Sequence, residues 1–309
     1  MDNLAFLRAA IQAGTPLLFA TLGEVLTEKS GNLNLGVEGL MLLGAVGGFA
    51  AGLATESALI AIIVAALAGA LGAFLYAVLT VTLQTNQVVT GLALTIFGTG
   101  VSGYAGRFMM GDTLPRTIRN TFVARPIPLL SQIPFIGDLL FNQNIFVYGG
   151  LVLAVIMGLY LSRTKQGLNL RTVGENPSAA DASGIPVTRY KYIHIIVGGA
   201  ISALGGAYLS LVYVPTWQEN ITAGRGWIAV ALVIFSMWSP YKAIFGAYLF
   251  GGLDIIGFRL QQTGFAMSQH IIGMFPYLIT IVVLVLSSIL KRKQYAPNSL
   301  GESYFREDR

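Results

Sequence analysis

The sequence contains no cysteine and only two histidines, His194 and His270, too far apart to match a metal-binding spacing. Disulfides, thiolate zinc sites, iron–sulfur clusters and thiol nucleophiles are therefore excluded. Charge is also scarce. Only 11% of the 309 residues are Asp, Glu, Lys or Arg, against about 25% in an ordinary soluble domain. A chain so poor in charge cannot cover itself with a water-facing surface, so the bilayer must be its solvent. No G-x-x-x-x-G-K-[ST], H-E-x-x-H or G-x-S-x-G occurs. Neither a Walker-type ATP site nor a hydrolytic or metal centre can be assembled, so no catalytic and no metal residues are expected. The N-terminus carries Asp2 and lacks the basic start and small-residue cleavage site of a signal peptide.

What remains is apolar and rich in glycine, with 54% hydrophobic residues and 37 glycines. Small residues let helix backbones approach closely in lipid, and Gly44, Gly48 and Gly52 recur at the spacing that does so. The sequence pI near 9.4 does not point to nucleic acid, because the basic residues flank apolar runs, as membrane topology requires. Runs of about 20 apolar residues predict an all-α, polytopic membrane bundle of about nine helices. They lie near 4–27, 38–54, 58–82, 87–106, 145–162, 192–213, 226–240, 242–258 and 271–290. The transmembrane domain is accordingly 1–290. Polar loops lie at 107–144 and 163–191, and a loosely ordered tail at 291–309. With the 163–191 loop and the C-terminus placed in the cytoplasm, all six lysines and six arginines fall inside, and seven arginines outside. The positive-inside rule favours that orientation, with the 107–144 loop external.

The 163–191 loop has a readable local physics. Asn176 is a good N-cap, Pro177 is pre-set for the first helical position, Gly184 offers a C-terminal stop and Pro186 bars continuation. A helix of about two turns over 177–183 results, too short to stand alone. Its small residues suit either docking into another protein or a linker lying at the headgroups. The run Arg171-Thr172-Val173-Gly174-Glu175-Asn176-Pro177-Ser178-Ala179-Ala180, with Gly184-Ile185 after it, resembles the coupling-helix loop of ABC permeases of the branched-chain amino acid, simple sugar and nucleoside group. Ser30-Gly31-Asn32-Leu33-Asn34-Leu35-Gly36-Val37-Glu38-Gly39-Leu40 is similar to that group's N-terminal signature, most like its nucleoside-type members. Gly224-Arg225-Gly226-Trp227-Ile228-Ala229 resembles the segment entering a later helix.

The resemblance implies a type II-like ABC importer permease in a bacterial cell membrane. It implies ATPase coupling through Arg171, Gly174, Glu175, Asn176, Pro177, Ala179, Ala180 and Gly184. No cofactor is expected on this chain; ATP and Mg²⁺ belong to a partner ATPase subunit. A second, related permease chain in a heterodimer and an extracytoplasmic binding lipoprotein are the other implied partners, alongside membrane lipid. Nucleosides are the implied cargo, with simple sugars or branched-chain amino acids as the alternative. An ion-coupled secondary transporter is the rival of another class.

Polar residues in the spans are the candidates for the translocation path: Asn34, Glu38, Asn86, Gln87, Thr90 and Trp227. Each also has a structural reading. Glu38 could stabilise the first turn of its helix, Asn86–Thr90 could bond a neighbouring helix, and Trp217 and Trp227 could anchor at an interface. Glu24 and Glu28, one turn apart, either mark a helix end or reach the path. Asp254 has Arg259 as its nearest cation in sequence.

Overall fold

The computed structural model describes residues 3–128, 130–134, 136–262 and 295–306, with a few positions between 274 and 285. The expected span at 271–290 lies largely outside the described residues.

The first half forms four long helices, α1 (Asn3–Glu28), α2 (Val37–Thr55), α3 (Ala58–Ala77) and α4 (Gln87–Gly106). Their starts follow from local chemistry. Ser57 caps α3 through Ile60 N and Asn86 caps α4 through Val89 N. Then come α5 (Arg116–Thr121), α6 (Ile136–Leu140), α7 (Ile145–Arg163), α8 (Lys165–Glu175), α9 (Pro177–Ala182), α10 (Val187–Tyr208), α11 (Arg225–Phe235) and α12 (Pro240–Gln262). Both α3 and α10 end in a π-helical turn, at Val78–Thr82 and Leu209–Tyr213.

Helix α10 lies at the centre, packed on α1, α2 and α3. The glycine spacing does what it predicts: a Cβ on Gly44 would strike the Ala203 backbone, and one on Gly48 would sit 3.1 Å from Ala65 Cβ. Since Gly44 meets Ala203 and Gly48 faces Ala207, α2 and α10 run parallel. The outer faces of α3, α4 and α7 leave Leu67, Leu71, Ile96 and Ile156 exposed. Apolar surface this extensive is matched only by lipid.

Among the described residues, six stretches are long and apolar enough to cross a membrane: Leu4–Glu28, Val37–Thr55, Ala58–Thr82, Gln87–Met109, Ile145–Arg163 and Val187–Tyr213. The expected span 226–240 is corrected. Helix α11 has 11 residues and rises about 16 Å, roughly half of a 30 Å hydrocarbon core. It stops because Met237 and Trp238 take positive φ, 54° each, ahead of Pro240. The expected span 242–258 lies within α12, 23 residues long.

The 107–144 loop is also more structured than expected. It holds α5, α6 and a small antiparallel ribbon, β1 (Arg125–Pro126) with β2 (Asn142–Gln143). It is tied to the segment after α10 by Leu114 N to Pro215 O (3.1 Å) and Trp217 N to Asp112 O (3.2 Å). Trp217 is not an interfacial anchor. It is buried, its ring 5.5 Å from that of Phe49.

Candidate functional site

Two helices begin inside the bundle, and their N-termini meet. Residues 29–36 are non-helical and descend between α1, α3 and α4. Non-helical backbone is tolerated at membrane depth only when protein satisfies it, and here it is satisfied. Leu33 N donates to Gln87 Oε1 (2.7 Å) and Tyr76 Oη to Leu33 O (2.7 Å). Asn34 N donates to Glu24 Oε1 (3.0 Å), Gly36 N to Asn34 Oδ1 (2.8 Å) and Thr95 Oγ1 to Leu35 O (3.0 Å).

Helix α2 then starts, with Glu38 in its first turn and buried. Its carboxylate reaches across to the start of α11. It accepts from Thr222 Oγ1 (2.5 Å), Gly224 N (2.8 Å) and Gly226 N (2.5 Å). A carboxylate at a helix N-terminus meets both free amides and the positive end of the dipole. Gly224, at φ 83°, makes the turn that aims those amides, and Gly226 has no room for a side chain beside the Glu38 backbone.

Next to this junction Arg225 pairs with Asp254 of α12 (3.0 Å), and Arg225 Nη1 also bonds Thr222 O (3.3 Å). Asp254 lies about 21 Å along α12 from its start, and its side chain is 38% exposed. The pair is therefore not sealed within this chain. Asp254 thus pairs with Arg225, and the side chain of Arg259, its nearest cation in sequence, lies outside the described residues. Glu24 and Glu28 are both buried, and Glu28 accepts from Trp238 Nε1.

Most of the sequence-predicted path residues are committed to structure. Asn34 shapes the descending link and Glu38 caps α11. Asn86 caps α4, and Gln87 bonds Leu33 N and, through Nε2, Glu302 O (3.2 Å). Thr90 bonds Asn86 O and Thr85 Oγ1. Trp227 is half-buried in the first turn of α11. Thr222, Gly226 and the Arg225–Asp254 pair escaped the sequence reading because their meaning lies in contacts from Glu38 and α12, far away along the chain.

The face carrying α8 and α9 holds the second cluster. Helix α8 was missed: its Gly167, Gly174 and Asn169 weaken the helical pattern, but Thr164 caps it at Gly167 N (3.0 Å). Helix α9 forms at 177–182. Asn176 Oδ1 accepts from Ala179 N (2.9 Å) and Pro177 stands at its start. Gly184 (φ 77°) closes it with bonds from Gly184 N to Asp181 O and Ile185 N to Ala180 O, the Schellman arrangement. Ala180 is fully buried with Val173 and Val187, whereas Ser178, Ala179, Ala182 and Ser183 are exposed. Arg171 and Glu175 are exposed too.

The tail is not loose over 295–306. Ser299 donates to Gly174 O through both N (3.0 Å) and Oγ (2.6 Å), and Gly301 N donates to Gly31 O (3.2 Å). Tyr304 Oη and Arg306 Nε both reach Asp181 Oδ2, at 3.0 and 3.2 Å. Gln84 Nε2 donates to Tyr304 O (3.0 Å), and Lys29 Nζ to Tyr295 O (3.2 Å). Burial draws the Lys29 ammonium below its usual value, opposed by the nearby Glu175. The tail thus joins the α1–α2 link, the α3–α4 turn and α8–α9 into one assembly.

A lipid-facing bundle around a capped internal junction, with a capped surface helix on one face, defines a multi-pass membrane transport subunit. The chain belongs to the family described as the branched-chain amino acid transport system permease component, which matches residues 6–284. It is similar to the candidate glucose ABC transporter permease TsgC13 of Haloferax volcanii, at 36% identity over 97% of each chain. It is similar as well to the nucleoside ABC transporter permease NupC of Lactococcus lactis, 32% identical over 94% of each. The guanosine ABC transporter permease NupQ of Bacillus subtilis is 30% identical over 97% of this chain and 96% of its own. Among solved structures, an inward-facing metal-chelate type ABC transporter superposes with a TM-score of 0.52, at 15% identity, over 93% of this chain and 84% of that one.

Proposed function

We propose that this ABC permease carries nucleosides into the cell, driven by a separate ATPase subunit that docks on α9. The observation that carries the coupling part is the exposed Ser178, Ala179, Ala182 and Ser183 surface, on a helix capped at both ends and braced beneath by Ala180. A small-residue surface held rigid from behind is what a cleft in another protein can grip and push. The basic residues Lys29 and Arg171 near it support a cytoplasmic side for this face and for the tail bound to it. ATP and Mg²⁺ act on the ATPase. The other partners are an extracytoplasmic binding protein and a second, related permease, since the Asp254 side of this chain is left open.

Nucleosides are supported by the names of NupC and NupQ. They also suit an open Arg225–Asp254 pair, able to hydrogen-bond ring hydroxyls. Glucose is the second reading, favoured by TsgC13 at 36% identity. Proteoliposomes holding this chain, its ATPase, its permease partner and its binding protein decide between them. ATP-dependent guanosine or uridine uptake is expected. Glucose uptake without nucleoside uptake overturns the cargo, and uptake by this chain alone overturns the ATP coupling.

A further inference from the structure

A cavity of about 690 Å³ opens between the end of α3, the start of α10 and the tail. Three cations line it, Arg189, Lys191 and Arg306, against one acid, Asp181. That acid is already engaged by Tyr304 and Arg306. Lys191 is 2% exposed, and among the described residues it has no hydrogen bond and no ion pair. The Lys191 side chain is thus held in the cavity wall with no opposite charge of its own, and cations so largely removed from water normally meet one. A second feature points into the same space. Helix α10 starts at Val187 after Pro186, and no side chain caps it. Val187, Thr188 and Arg189 of that first turn line the cavity, which sets the uncapped, positive end of the helix dipole beside it.

The surroundings give the size and class of the missing anion. The end of α3, which contributes Thr80 and Val81 to the lining, carries exposed Leu75, Leu79 and Leu83; on α10, Ile193 and Val197 are exposed. A charged chamber therefore opens beside an apolar wall at the edge of the bilayer. We propose that this cavity binds a phosphate group, supplied by the headgroup of an anionic phospholipid. The phosphate sits on Lys191 and the α10 amides, and the acyl chains lie along the exposed leucines of α3. This site is separate from the Glu38 junction and independent of which solute is carried.

The full chain, exchanged into mixed vesicles of phosphatidylglycerol and phosphatidylcholine and released for native mass spectrometry, tests this. The wild type is expected to retain phosphatidylglycerol about tenfold over phosphatidylcholine, about 1.4 kcal/mol. Lys191→Met should lose that preference, as should Arg189→Gln, whose exposed side chain can be changed without disturbing the fold. Lys165→Met, exposed on α8, should keep it. Millimolar inorganic phosphate distinguishes the sources. Retention in its presence assigns the site to lipid, and displacement of the lipid by it assigns the site to a free phosphate. Equal retention of the two lipids by the wild type, or an unchanged preference in both Lys191→Met and Arg189→Gln, overturns the proposal.

Discussion

The carboxylate of Glu38, in the first turn of α2, accepts the amide of Gly226, in the first turn of α11, at 2.5 Å, so each helix start is held by the other. Neither helix would have reason to begin at that depth alone. Removing the carboxylate leaves the amides of Gly224 and Gly226 and the Thr222 hydroxyl without their acceptor. A hydrogen bond to a charged group is worth about 1.5–3 kcal/mol, but bonds within membrane bundles average nearer 0.6. Glu38→Ala is therefore expected to destabilise by about 2–4 kcal/mol, and Glu38→Gln by about half of that. Unfolding in mixed micelles measures both. A loss below about 1 kcal/mol for the alanine variant would show that the junction does not depend on the carboxylate.

Glycine substitutions should separate contact from composition. Gly226→Ala puts a methyl onto the Glu38 backbone and Gly206→Ala puts one onto the Met41 carbonyl. Both should lower the melting temperature in detergent and abolish uptake. Gly100→Ala, with nothing within 4 Å of the added Cβ, should be neutral or stabilising by up to about 1 kcal/mol. Equal behaviour of the three would refute the packing argument.

The Arg225–Asp254 pair is a test of the path. Asp254→Asn should cut uptake about tenfold or more while leaving the chain folded, because the pair is only partly buried. An Arg225→Asp, Asp254→Arg exchange should recover part of the stability but little of the transport, since the field seen by the solute is inverted. Full transport by the exchanged protein would make the pair purely structural.

For the docking face, Ala179→Arg and Ala180→Arg are neighbours with opposite expectations. The first adds a large cation to an exposed position and should leave folding intact while the ATPase subunit no longer co-purifies. The second forces a charge into the Val173–Val187 cluster and should destabilise the chain itself. Retained ATPase binding by Ala179→Arg would move the docking surface elsewhere.

Truncation after Gln294 removes the bonds from Ser299 to Gly174, Gly301 to Gly31 and Tyr304 to Asp181. The expected outcome is a chain that still inserts, with substrate-stimulated ATPase activity of the assembled transporter reduced about fivefold or more. Unchanged stimulation would mean that the tail only covers the surface.

The membrane bundle was legible from composition and from apolar runs, because lipid leaves helices little latitude. The capped helix at 177–182 was legible from Asn176, Pro177 and Gly184, since caps act within a few residues. The half-length of α11 was not. Residues 226–240 carry an apolar run, and what stops the helix is the positive φ at Met237 and Trp238, which no residue type there announces. The role of Glu38 was only half legible. Its place in the first turn of α2 is local, whereas its partners sit more than 180 residues away. The tail was misread for a similar reason: charge, Pro297 and Gly301 look like a free end, and its acceptors at Gly174 and Gly31 are backbone atoms invisible to any pattern.

The distance in sequence between Ser299 and Gly174, 125 residues, also has a consequence in time. At roughly 5–20 residues per second, the ribosome delivers Ser299 on the order of 6–25 s after Gly174. During that interval α9 is already made and capped, but nothing yet staples it to the link at Gly31 or the turn at Gln84. The newborn chain thus passes through a stage in which α9 exists without its brace. Only the finished chain holds α9 tied to both the α1–α2 link and the α3–α4 turn.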